Sequence, residues 1–129
     1  MESLFRTILL DWLASDPALS TTLNDVAEEA PSRASLPWLG IAASASTDWS
    51  TKTRRGREVR VALELQTRGD GAAETSAIAA QVEERIESLP CQYPGLSIAS
   101  TTFLRARAEQ RPRNTRAVLI EYRFRILEA

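Results

Sequence analysis

Residues 116–127 alternate between apolar and polar side chains more strictly than any other part of the chain. Their apolar residues occupy every second position, and Arg123 and Arg125 lie between them. A period of two residues places successive side chains on opposite faces of a β-strand. Residues 58–67 alternate in the same way, with Arg60 on the polar side. The sequence therefore predicts two half-buried strands, each with one apolar and one charged face.

Helical periodicity predicts the elements that cover the apolar faces. Apolar residues recur every three or four positions over residues 3–14 and over residues 72–89, which is typical of amphipathic helices. A short helix is predicted over residues 17–23. Asp70 precedes the longest helix and is its predicted N-cap.

Weaker strand patterns over residues 38–46 and 96–108 complete the order helix, short helix, strand, strand, helix, strand, strand. Residues 24–37 and 109–115 are predicted to be surface connections. This order favours an α+β fold with a largely antiparallel four-stranded sheet and the helices packed on one face. The opposite face would remain charged. At 129 residues, the chain is expected to form a single domain over 1–129.

Arginine supplies nearly all of the positive charge. Fifteen arginines accompany one lysine, Lys52, and there is no histidine. Arginine binds carboxylates and phosphates through several fixed donors, and it does not titrate near neutral pH. Cys91 is the only cysteine, so neither a Ser-His or Cys-His catalytic pair nor a Cys/His metal site is available. We therefore expect contact surfaces rather than a catalytic, cofactor or metal site.

The charges are segregated along the chain. Residues 1–30 hold one arginine and six carboxylates, and residues 70–89 hold one arginine and five carboxylates. The basic segments are residues 52–60 and 105–116. Such segregation suits contacts with charged neighbours or with copies of the chain, although a solvated surface explains it equally well. The candidate subunit-interface or DNA-contacting residues are Trp49, Arg54, Arg55, Arg57, Arg60, Arg111, Arg113, Arg123 and Arg125.

Compartment and membrane signals are consistent with an intracellular assembly site. A lone cysteine cannot form an intrachain disulfide. The segment that starts at Met1 lacks the basic region of a signal peptide. No apolar run approaches the roughly 20 residues that cross a bilayer, so no membrane partner is expected.

Four segments together resemble the small tail-completion, or tail-terminator, proteins of long-tailed phages and of phage-derived gene transfer agents. The resemblance covers nearly the whole chain and lies in the order and lengths of the elements. It is carried by the first helix with its continuation Asp16-Pro17-Ala18-Leu19, the strand entry Pro37-Trp38-Leu39-Gly40, the turn Arg68-Gly69-Asp70-Gly71 into an Ala-rich helix, and the final strand Glu121-Tyr122-Arg123-Phe124-Arg125.

The resemblance implies a structural virion protein without catalytic activity. Such proteins form a homohexameric ring at the head-proximal end of the tail tube, end tube polymerisation and join the tail to head-completion or connector proteins. DNA passes through the ring without sequence readout. The implied location is the tail of a virion or virus-like particle, assembled in the bacterial host cytoplasm.

Two models follow for the charged segments. In the first, acidic residues 1–30 and 70–89 meet basic residues 52–60 or 109–116 of a neighbouring subunit, and residues 48–57 become ordered only on assembly. In the second, one basic segment lines the channel.

Three other functions remain open at this point. One is a nucleic-acid-binding module that uses residues 52–60 and 105–116, although the net charge of −1 argues against an autonomous duplex-binding protein. Another is a different head-tail connector or tube component, because related folds serve several positions in such particles. A small enzyme is the least favoured.

Overall fold

The computed structural model describes residues 1–28, 35–69 and 71–129, and within these ranges three helices and six strands form. The helices are α1 (Glu2–Ala14), α2 (Pro17–Thr22) and α3 (Ala72–Glu87). The strands are β1 (Asp25–Ala27), β2 (Trp38–Asp48), β3 (Gly56–Arg68), β4 (Gln92–Tyr93), β5 (Leu96–Arg111) and β6 (Thr115–Glu128). The three predicted helices and the four long predicted strands are thus confirmed, with shifts of a few residues at their ends.

The six strands form one curled mixed sheet in the order β1-β2-β3-β6-β5-β4. The two strongly alternating segments, β3 and β6, pair antiparallel at its centre, and β2 and β5 flank them as hairpin partners. The prediction of a four-stranded antiparallel sheet was wrong at both edges. β1 adds a parallel pairing to the start of β2, and β4 adds a two-residue antiparallel pairing to β5.

The apolar faces of β3 and β6 form the core together with the helices. Phe5, Leu9 and Leu13 of α1 are fully buried, and so are Val82 and Ile86 of α3. The predicted apolar stripes of the two longer helices therefore lie on one face of the sheet, as the sequence indicates. Fully burying each such side chain stabilises the fold by about 1.5–3 kcal/mol.

Two predictions about connections need correction or fall outside the described residues. Residues 109–115 are not a loop, because Glu109–Arg111 continue β5 and only residues 112–114 form the turn to β6. The N-cap position of α3 is occupied by Gly71. The predicted cap Asp70 lies outside the described residues, as does much of the connection predicted over 24–37.

Both lateral edges of the sheet are only partly covered. On its outer side, β2 pairs with β1 at Trp38–Gly40, and Ile41–Asp48 have no second partner strand among the described residues beside their pairing with β3. On the other side, β4 covers only Leu96 and Ser97, so most of β5 is a second free edge in the described part of the chain. Phe103 and Leu104 on this edge are exposed apolar side chains.

Candidate assembly interface

The face of the sheet that carries no helix is called here the open face. Alternation along β3 and β6, together with their register, places most of the charged side chains of both strands on this face, with Arg57 among the exceptions. β2 contributes mainly small side chains, and β5 contributes several arginines. The residues of this face include Ala43, Ala45, Glu58, Arg60, Ala62, Glu64, Arg105, Arg107, Glu109, Glu121, Arg123 and Arg125.

At one end of the open face, carboxylates match the arginines. The Arg111 guanidinium lies 2.8 Å from a carboxylate oxygen of Glu64 and 3.2 Å from one of Glu109. Burial alone would lower the pKa of Arg111, but the contacts with Glu64 and Glu109 raise it. Arg107 also lies 3.0 Å from Glu109. This end is therefore compensated within one chain.

In the middle of the open face, Arg105 forms an ion pair and hydrogen bond with Glu121, its register partner on β6. Beside this pair is a groove of about 410 Å³, lined on one side by Ala43, Ala45 and Ala62. Small side chains at these positions leave the groove open. The groove is therefore open to solvent along the sheet surface.

At the other end, the charges do not match. Arg60 and Arg123 are direct cross-strand neighbours, and Arg125 lies two residues further along β6. The carboxylate of Glu58 forms ion pairs with Arg125 and Arg123, at 3.2 Å from Arg125 Nε and 3.8 Å from Arg123 Nε. No carboxylate among the described residues lies within 4 Å of the Arg60 guanidinium. We call Arg60, Arg123 and Arg125 the arginine cluster.

The turn from β2 to β3 is tied to neighbouring strand ends. The backbone N–H groups of Trp49 and Thr51 donate to the carbonyls of Gly56 and Arg54 at 2.9 and 2.8 Å. Arg54 Nε donates to the carbonyl of Glu128 at 2.8 Å. These contacts favour an ordered turn in the single chain, unlike the expectation that residues 48–57 become ordered only on assembly.

The remaining candidate residues occupy distinct places. Trp49 packs beside the arginine cluster, with the Arg125 guanidinium 5.5 Å from its ring centre. Arg57 belongs to β3 and Arg111 to β5, so neither is the loop residue that the sequence suggested. The Arg57 guanidinium lies 3.4 Å from the Glu2 carboxylate. Arg55 and Arg113 lie in the turns at opposite ends of the sheet.

Glu58 and Glu64 were missed as site residues by sequence reasoning. Both lie on the polar side of a predicted strand, which was the available signal. Their role depends on which arginines the register brings beside them. That information appears only when β3 is paired with β6 and β5.

The covered face contains a second polar contact, at the end of α3. The fully buried Tyr122 donates a hydrogen bond from its hydroxyl to Glu87 Oε2 at 2.8 Å. Burial, followed by the proximity of Glu87, raises the pKa of Tyr122 well above its ordinary value. Burial and the neighbouring Glu87 also raise the pKa of Glu83. These contacts anchor α3 to the sheet, so they are structural.

Two other kinds of site are absent from the described residues. No group of three or more His, Cys, Asp or Glu side chains there could hold a metal ion. No helix in the same ranges is long and apolar enough to cross a membrane.

An α+β domain with one helix-covered face, one charged open face and two free sheet edges defines a class of protein built for contact with other chains. The chain belongs to the tail completion protein gp17 family, whose model matches residues 7–127. This is a family of structural phage tail proteins, which confirms the resemblance seen in the sequence and favours a non-enzymatic role.

Solved structures show the same fold. A chain in the virion of a native gene transfer agent particle superposes with a TM-score of 0.78 at 21% identity, covering 94% of this chain and 92% of that one. The gp17 protein of bacteriophage SPP1 superposes with a TM-score of 0.63 at 21% identity, with coverages of 92% and 86%. No curated protein sequence gives a significant match.

Proposed function

We propose that the protein forms a closed ring of six copies at the head-proximal end of a phage-type tail tube, ends tube polymerisation and joins the tail to the head. Family membership supports a tail-completion role. Similarity to a chain of a gene transfer agent virion and to a phage protein supports a place in such a particle. The observation that carries the ring is the pair of free edges, one on each side of the sheet.

The directions of the two edge strands suit head-to-tail pairing. Every neighbouring pair from β2 through β3 and β6 to β5 is antiparallel, so β2 and β5 run in opposite directions. A rotation about an axis along the strands keeps these directions. It brings β5 of one copy beside β2 of the next in an antiparallel arrangement, which is the heterologous contact that generates rings.

The side chains on these edges favour pairing with another chain. Residues 41–48 of β2 contain neither proline nor lysine, which natural proteins use to block edge pairing. On β5, the exposed Phe103 and Leu104 would be covered by the neighbour. Bulges in both strands increase the local bend. Six copies of four long strands at about 4.8 Å spacing would form a barrel roughly 35–50 Å across, depending on strand tilt.

In such a ring the two ends of the sheet face along the axis. One end carries the β2–β3 turn with Lys52, Arg54 and Arg55, and the other carries the β5–β6 turn with Arg113. These basic turns are the proposed contacts with the tail tube on one side and with head-completion proteins on the other.

Edge substitution tests the ring. Ser44→Lys places a charge on the free edge of β2, and Thr21→Lys adds the same charge on the exposed surface of α2. Mass measurement in solution, with imaging of assembled particles, should show six-fold assemblies at the head-proximal tail end for the unmodified chain and the α2 variant only. A stable monomer that retards DNA, or normal rings from the edge variant, would contradict the proposal.

A further inference from the structure

We infer that the open face lines the channel of the ring and that the arginine cluster binds backbone phosphates of DNA in transit. This inference rests on the proposed ring and identifies which of its residues meet the nucleic acid. The first observation is the direct pairing of Arg60 with Arg123 across β3 and β6. Like charges directly opposite each other destabilise a sheet. An anion bound between the two guanidinium groups would offset this repulsion.

The second observation is an unsatisfied donor. Arg123 Nε is buried and has no hydrogen-bond partner among the described residues, and its distance to Glu58 of 3.8 Å is too long for a hydrogen bond. Buried donors are rarely left unpaired in folded proteins. Glu58 therefore does not satisfy this guanidinium, and a phosphate could bind Arg60 together with the exposed part of the partly exposed Arg123 side chain.

The third observation is that the mismatch is local. On the same face, Arg111 is matched by Glu64 and Glu109, and Arg105 is matched by Glu121. The arginine cluster has three guanidinium groups, and Glu58 is the one carboxylate of the described residues that contacts them. If the open face contacted only solvent, the balance of arginines and carboxylates would be expected to be similar at its two ends.

The position of the helices indicates which face of the sheet lies inside the ring. α1 and α3 occupy the opposite face of the sheet, and a layer of helices needs more circumference than a bare sheet. In a closed ring the helices therefore lie at the larger radius, and the open face lies inside. The neighbouring groove, with its small alanine side chains, leaves space for an extended polymer. Arginine contacts to phosphate read no base sequence, which suits DNA that must slide past.

The test compares two double variants that remove the same charge. Arg60→Gln with Arg123→Gln removes two cations of the open face, and Lys52→Gln with Arg55→Gln removes two from the β2–β3 turn. Ring mass and the affinity for a short blunt-ended DNA duplex are measured at several NaCl concentrations. The open-face variant should form rings but bind the duplex about tenfold or more weakly, and its salt slope should fall by about 0.9 for each phosphate that it no longer neutralises. The turn variant should retain the slope of the unmodified ring.

Each other outcome has a defined meaning. Intact rings with an unchanged slope in the open-face variant would overturn this inference and leave the ring proposal standing. Loss of rings in that variant alone would overturn it in favour of an acidic segment of a neighbouring subunit as the anion. Absence of rings from the unmodified chain would overturn both proposals. If the double variant does not fold, Arg60→Gln alone carries the test, because Arg60 is exposed and makes no ion pair within the described part of the chain.

Discussion

The hydroxyl of Tyr122 should stabilise the domain through one specific contact with α3. Tyr122 is fully buried, and its hydroxyl lies 2.8 Å from Glu87 Oε2. Its ring also packs edge-on against Phe103, with centroids 5.5 Å apart. Tyr122→Phe keeps the ring and removes the hydroxyl, which also lies 3.5 Å from the Glu83 carbonyl, so the change in stability measures both hydroxyl contacts.

The structure sets the size of the effect. A buried hydrogen bond to a charged group contributes about 1.5–3 kcal/mol, but Glu87 is exposed and water can replace the missing donor. We therefore expect Tyr122→Phe to lower the free energy of unfolding by about 1 kcal/mol. The thermal midpoint should fall by about 3–6 °C.

A double-mutant cycle with Glu87→Gln isolates the contact. Chemical unfolding of all four forms, at a concentration where the chain is monomeric, should give a coupling energy of about 1 kcal/mol between the two substitutions. Strictly additive effects, or a Tyr122→Phe variant as stable as the unmodified chain, would refute the reasoning.

Two further predictions concern the β2 side of the sheet. Gly56→Ala should lower the free energy of unfolding by about 2 kcal/mol or more, because its Cβ would meet backbone oxygens of Trp49 and Ile126. In the same denaturant titration Gly71→Ala should cost about 1 kcal/mol or less, because its Cβ meets open space and the loss is limited to the weaker N-cap that alanine gives α3. Ser46→Ala should destabilise the chain at neutral pH, because the Ser46 hydroxyl, the backbone and Arg57 lower the pKa of Glu2. A carboxylate whose pKa is lowered in the folded state stabilises the fold above its ordinary pKa of 4.5, and this stabilisation is lost as the pH falls through the folded-state pKa. The difference in unfolding free energy between Ser46→Ala and the unmodified chain should therefore shrink in acid. Ser44→Ala is the control, and its effect should not vary with pH. A Ser46→Ala effect that does not vary with pH would contradict this.

The alternation of apolar and polar residues predicts the central strands of the sheet, whereas the short edge strands depend on tertiary contacts. Alternation over residues 58–67 and 116–127 predicts β3 and β6 almost to their ends, because each strand buries one face continuously. β1 and β4 have three and two residues, too few to show a period. β5 continues beyond its predicted end, because Glu109–Arg111 are polar residues before a proline and show no apolar alternation, although they pair regularly with β6.

The candidate site was only partly predictable for a related reason. The placement of Arg60, Arg123 and Arg125 on the charged sheet face follows from alternation alone. Their clustering does not, because it depends on the register that places Arg60 opposite Arg123 and Glu58 opposite Arg125. A shift of two residues that placed Arg60 opposite Glu121 and Glu58 opposite Arg123 would keep every side chain on the same face and still dissolve the cluster.

The pairing of charges within one chain narrows the role of the arginines. The basic segments along the sequence suggest partners in other subunits, but the fold gives Arg57, Arg105, Arg107 and Arg111 carboxylates of their own chain. An exposed ion pair of this kind contributes little to stability and leaves little net charge for a partner. The positive charge available to other molecules is therefore concentrated in the arginine cluster and in the turns at the two ends of the sheet. A ring built from this chain would present that charge along its channel and at its two axial faces, while its lateral contacts would depend on backbone pairing and apolar side chains.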